Sequence, residues 1–130
     1  MTISEYVCEL CEYRYEGCGG LGVLMSGDGR QTVSCAACQA LHDVPLGISL
    51  WSAPNAIGRR RSRRAPEPVP LPIEERVTEL TFACPVDPSH PVRPWTDGDP
   101  GRRAVPGALS GVCPRCDCRM QFVRTVMEAD

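Results

Sequence analysis

Eight side chains with metal-binding donor atoms stand in pairs along this chain. Cys8 and Cys11 lie in YVCELCEYRYEG (residues 6 to 17), and Cys35 and Cys38 in VSCAACQALHD. Cys84 and His90 lie in ACPVDPSH, and Cys113 and Cys116 in CPRCDC. Three of the pairs are C-x2-C. A turn of that length delivers both sulfurs to one ion, and two such turns complete a tetrahedron with metal–sulfur bonds of ~2.3 Å. Taken in chain order, Cys8, Cys11, Cys35 and Cys38 form an all-cysteine set. Cys84, His90, Cys113 and Cys116 then form a set of three thiolates and one imidazole. The first-to-third ligand spacings, 27 and 29 positions, make this one ligand plan used twice.

Both sets close at four ligands. Catalytic zinc keeps one position open, commonly beside a general base, so a non-enzyme is expected. Glu9 and Glu12 flank the first pair and define no mechanism by themselves. His42, four residues after Cys38, is read as a solvated neighbour that could compete as a ligand. Cys18, in the glycine-rich EGCGGLG, lacks the GK[ST] of a phosphate loop and is read as a buried or half-buried thiol. Cys118 is read the same way, with replacement of His90 as its alternative role.

Composition explains why metal is needed. The chain has 130 residues, nine of them cysteine and 13 proline, but only two Trp, three Tyr and two Phe. A core in a ~50-residue unit supplies roughly 3–5 kcal/mol. Structural zinc in finger-sized peptides contributes on the order of 10–16 kcal/mol of apparent binding energy coupled to folding. An odd cysteine count excludes complete pairing in disulfides. MTISEYVCEL offers no basic-then-apolar leader, and no run approaches the ~18 apolar residues of a membrane span. A reducing, cytoplasmic setting without membrane association is the resulting expectation, and there paired cysteines bind metal.

Stepping outward from the ligands, short extended runs must position them. ISEYV (3 to 7), GVLM (22 to 25), RQTVS (30 to 34), VTELTFA (77 to 83) and RMQFVRTVM (119 to 127) have strand character. SGDG at 26 to 29 reads as a hairpin turn because Asp-Gly tolerates positive φ. No useful helical periodicity is present, so the expected class is small, metal-stabilised and mainly β. Between the halves lies SAPNAIGRRRSRRAPEPVPLP, with prolines at 54, 66, 68, 70 and 72 that favour extended chain. The expected organisation is therefore a module at 1–51, a Pro/Arg-rich linker at 52–72 and a module at 73–130.

Strand, C-x2-C, hairpin, strand, C-x2-C resembles a zinc ribbon, and the whole chain resembles two of them joined by a tether. The resemblance covers about 100 residues and implies fold and two zinc ions rather than one activity. YVCELCEYRYEG is also similar to the first iron-binding turn of rubredoxins. Tyr13 and Tyr15 match that pattern in style, and Glu12 stands where it has glycine. It implies an alternative, iron at the N-terminal site and electron transfer through Cys8, Cys11, Cys35 and Cys38.

Net charge is −2 and all 14 basic residues are Arg. Arg59, Arg60, Arg61, Arg63 and Arg64 form the only dense basic run. Five guanidinium groups could contact phosphates with marked salt dependence, or simply keep the linker solvated and expanded. Trp51 and Trp95 are each read as a partner anchor or as cover for a small core. The leading expectation is a non-catalytic zinc-binding adaptor or accessory subunit engaging a protein partner. Nucleic-acid binding through the Arg run is the second.

Overall fold

The computed structural model describes residues 1–24, 27–49, 81–101 and 105–128. Eight strands follow one another: β1 (Thr2–Cys8), β2 (Arg14–Gly17), β3 (Leu21–Val23), β4 (Asp28–Cys35), β5 (Ala40–Ser49), β6 (Val92–Thr96), β7 (Leu109–Ser110) and β8 (Met120–Glu128). Among the described residues there is no helix, and hence none long and apolar enough to cross a membrane. The mainly β expectation holds for these residues.

The strands form two sheets, one ordered β2-β1-β8 and one in which β4 is central. β5 runs antiparallel along β4 from Asp28↔Ser49 to Cys35↔Ala40. Two short strands divide the other edge of β4. β3 pairs with its start, Leu21↔Gln31 to Val23↔Gly29, and β6 with its end, Val33↔Pro94 to Cys35↔Val92. A hairpin joins β3 and β4, but Asp-Gly does not make its turn. Asp28 and Gly29 already belong to β4, with Gly29 pairing with Val23. The positive φ falls instead at Gly27 (89°), whose N–H donates to the Leu24 carbonyl at 2.9 Å.

These pairings correct the expected division into separate modules. β1, from the N-terminal end, pairs with β8, from the C-terminal end, along Thr2↔Glu128 through Cys8↔Met120. β4 and β6 join the halves a second time. The main core is shared as well. Tyr6, Tyr15 and Leu41 pack with Trp95, Met120 and the thiols of Cys8 and Cys113. Trp95 is fully buried, stands edge-on to the Tyr6 and Tyr15 rings, and donates its indole N–H to the Val112 carbonyl at 2.7 Å. It is a core residue rather than a partner anchor. Neither half carries enough aromatic surface for a core of its own, and interleaving pools it in one.

Other readings fare differently. Residues 81–83 of the expected strand VTELTFA have no regular structure, and the rest of it lies outside the described residues. The 52–72 stretch, its five arginines and Trp51 also lie outside them. The glycine-rich segment has a packing role: Gly19, at φ 66°, carries no Cβ to obstruct the Tyr6 ring lying against it.

Candidate metal centres

Each C-x2-C segment folds into the same tight turn, and the residue after its second cysteine marks it. Glu12, Gln39 and Asp117 have φ of 64°, 53° and 61°, and they are the only non-glycine residues with positive φ among the described residues. Ahead of that residue, within each turn, a backbone N–H points at the first sulfur. Leu10 N–H donates to Cys8 Sγ at 3.5 Å, Cys38 N–H to Cys35 Sγ at 3.3 Å, and Arg115 N–H to Cys113 Sγ at 3.4 Å. The first and last turns are congruent in their backbone bonds as well. Cys8 N–H donates to the Tyr13 carbonyl at 2.8 Å, and Cys113 N–H to the Cys118 carbonyl at 2.6 Å. Cys118 therefore occupies the position that Tyr13 holds in the first turn.

All eight expected ligands come together in fours, but in a different grouping. Cys8, Cys11, Cys113 and Cys116 form one cluster, and Cys35, Cys38, Cys84 and His90 the other. The sets Cys8/Cys11/Cys35/Cys38 and Cys84/His90/Cys113/Cys116 are thus corrected. Chain proximity suggested the wrong partners because strand pairing decides which turns meet. β1 and β8 lie side by side and carry the outer turns to one place; β4 beside β6 does the same for the inner ligands. In chain order, the inner centre is nested within the outer one.

Both clusters have the dimensions of a tetrahedral site. With bonds of ~2.3 Å the edges of a tetrahedron of sulfurs are about 3.8 Å. In the outer cluster Cys8 and Cys116 Sγ are 3.3 Å apart, and Cys11 and Cys113 Sγ 3.6 Å. In the inner cluster Cys38 and Cys84 Sγ are 3.5 Å apart, and His90 Nδ1 lies 3.8 Å from Cys35 Sγ and 3.6 Å from Cys38 Sγ. All donor atoms within each cluster lie inside 4.8 Å of one another. Both clusters could hold metal ions.

Electrostatics makes the same point. The backbone N–H of Cys11, against some burial and helped by that of Leu10, draws the Cys8 thiol down to about 6. Burial opposes ionisation of Cys84, but the N–H groups of Asp87 and Val86 outweigh it and bring that thiol to about 6. Other members of each cluster move the opposite way. Cys38 is pushed up to about 12, first by Cys35, and burial raises Cys113 to about 12. Packed sulfurs cannot all become thiolates on their own, whereas a divalent cation at the centre stabilises every one of them.

The two centres are joined through protein. Tyr13, beside the outer turn, accepts the Leu41 N–H at 2.9 Å, just past the inner turn. Arg115 lies over the Tyr13 ring, 4.6 Å from its centroid, and reaches the Gln39 carbonyl at 3.3 Å.

The remaining candidates stand apart from the clusters. Cys18 is fully buried, its sulfur among Gly20 O, Arg30 O and Thr32 Oγ1, and burial raises its thiol to about 11. It belongs to a polar core in which Tyr15 Oη donates to Asp43 and meets Thr32 Oγ1, tying β2 to β4 and β5. His42 pairs with Val33 across β4 and β5 and joins neither cluster. Sequence reasoning passed over Asp87, whose carboxylate lies 3.5 Å from His90 Nε2. The signal was there: an acid three residues before a ligand histidine, in a proline-bounded loop. No family model matches the chain, and neither a curated protein nor a solved structure matches it.

Proposed function

We propose that this chain is a non-catalytic, zinc-binding adaptor or accessory subunit that engages a protein partner through the surfaces its two centres hold rigid. The observation that carries the reading is the pair of four-donor clusters, one of four sulfurs and one of three sulfurs and a nitrogen. Donor sets of this kind suit structural zinc, which has no redox chemistry of its own. Large apolar side chains exposed beside the centres support the adaptor role. Leu10, between Cys8 and Cys11, is 70% exposed, and Val86, between Cys84 and His90, is 69% exposed. On β8, Phe122 rims a groove of about 640 Å³ between β1, β8 and the loop through Asp97 and Asp99. Apolar groups fixed by metal turns lose little freedom on binding, which favours their use as contact points.

Metal analysis with a visible spectrum tests the first part, with two zinc ions per chain and no colour expected. A coloured protein that bleaches on reduction would replace this reading with electron transfer at Cys8, Cys11, Cys113 and Cys116, the only four-sulfur set among the described residues. For the second part, Leu10→Asp and Val86→Asp should abolish capture of the protein partner while leaving metal content unchanged. Undiminished capture would remove these residues from the interface. The Arg59–Arg64 run leaves nucleic-acid binding as the competing role. Replacing its five arginines with glutamine should then abolish salt-sensitive binding.

A further inference from the structure

Within the inner cluster, His90 is held from outside as well as from inside. Its Nδ1 faces the sulfurs of Cys35 and Cys38, and its Nε2 faces Asp87 Oδ2 at 3.5 Å. The Asp87 carboxylate is itself anchored. Its Oδ1 accepts the Ser89 N–H at 3.0 Å and the Ser89 hydroxyl at 2.8 Å, which leaves Oδ2 for the imidazole. The His90 N–H closes the same loop by donating to the Asp87 carbonyl at 3.0 Å. One residue thus accepts the backbone N–H of the ligand and stands at the outward side of its ring.

We propose that Asp87 is a positioning residue for the inner metal centre, accepting the Nε2–H of His90 and so presenting the Nδ1 lone pair to the ion. The proposal rests on the metal-binding reading above. A neutral imidazole carries its proton on one nitrogen only, and the bond made by the far nitrogen decides which one is free to coordinate. A carboxylate at that bond also makes the ring a stronger donor. The outer centre, built from sulfur alone, has no such device and serves as the internal control.

Asp87→Asn is the informative variant, because its amide oxygen retains the Ser89 bonds while the negative charge is lost. Full-length protein titrated with cobalt(II), then with zinc(II) against a chelator, reports the two centres separately, since three-sulfur, one-nitrogen and four-sulfur cobalt sites differ in visible absorption. The inner centre should weaken by roughly 10–100-fold, with the outer centre unchanged. Unaltered inner affinity in Asp87→Asn would overturn the proposal and leave the metal reading intact. Should the variant fail to fold, NMR of the His90 ring nitrogens in the zinc-loaded parent decides. Metal on Nδ1 with a proton on Nε2 supports the proposal, and metal on Nε2 defeats it. A parent chain that binds fewer than two ions would instead overturn the metal reading itself, and this proposal with it.

Discussion

Glu12, Gln39 and Asp117 are strained because the metal turns demand a conformation that L-residues reach only at a cost of roughly 1–2 kcal/mol. Glycine removes the Cβ conflict but adds entropy to the unfolded chain, so the net gain is smaller. Gln39→Gly and Glu12→Gly should each raise the stability of the metal-loaded protein by about 0.5–1 kcal/mol, measured by denaturant titration. Asp117→Gly should gain least, since Asp tolerates the left-handed region better. A loss of stability in Gln39→Gly would mean that the turn does not take this shape. Glu12 standing in a glycine's place was readable from the sequence. That all three turns share the feature needed backbone angles.

At the scale of elements, the β1–β8 pairing is the contact on which the outer centre depends. It is irregular: the register shifts between Ile3 and Ser4 and between Glu5 and Tyr6, which leaves Val126 and Val123 of β8 as extra residues. Such bulges on a strand with one paired neighbour discourage further edge pairing. Glu5 on β1 clasps both flanking strands, meeting Arg14 of β2 at 2.8 Å and Arg124 of β8 at 3.0 Å. Arg124 above all holds the Glu5 carboxyl below its usual value of 4.5. A group depressed in the folded state contributes stability above its unfolded pKa and loses it as pH falls through the lower folded value. The melting-temperature advantage of the parent over Glu5→Gln should therefore be full at neutral pH and vanish in acid. Metal loss in acid affects both proteins and drops out of the comparison. The advantage will be modest, because both arginines are well exposed and water screens them. A difference that grew on acidification would contradict the clasp. β1, β4 and β8 were legible from their β-branched and alternating residues; β2, β5 and β6 were not, since Glu, Gly or Pro interrupts each of them.

For the whole molecule, nesting has consequences that two modules in a row would not. Metal stoichiometry in paired cysteine variants reads the grouping directly. Cys8→Ser and Cys113→Ser should each leave one ion, and the double variant should still hold one, because both changes strike the same centre. Cys8→Ser with Cys35→Ser should hold none. The sequential grouping predicts the reverse for the two double variants. Proteolytic cleavage after the arginines at 59–64 gives an independent check. Two nicked fragments should remain together through β1–β8, β4–β6 and both centres, and separate when chelator is added. Fragments that part at once with metal still bound would show two autonomous modules.

The sequence by itself determined the chemistry this protein offers: the eight side chains that could hold metal, the tight turns that present them, and a chain poor in aromatic residues for a core. These are local properties, fixed by residue type and by spacings of a few positions. Only the tertiary structure decided which turns come together. That choice belongs to strand pairing between residues more than a hundred positions apart, as in Thr2↔Glu128. It also belongs to burial of Trp95 against Tyr6 and Tyr15, where two sparse halves complete one core. Every C-x2-C turn offers the same pair of sulfurs to any other, so ligand spacing carries no record of the partner.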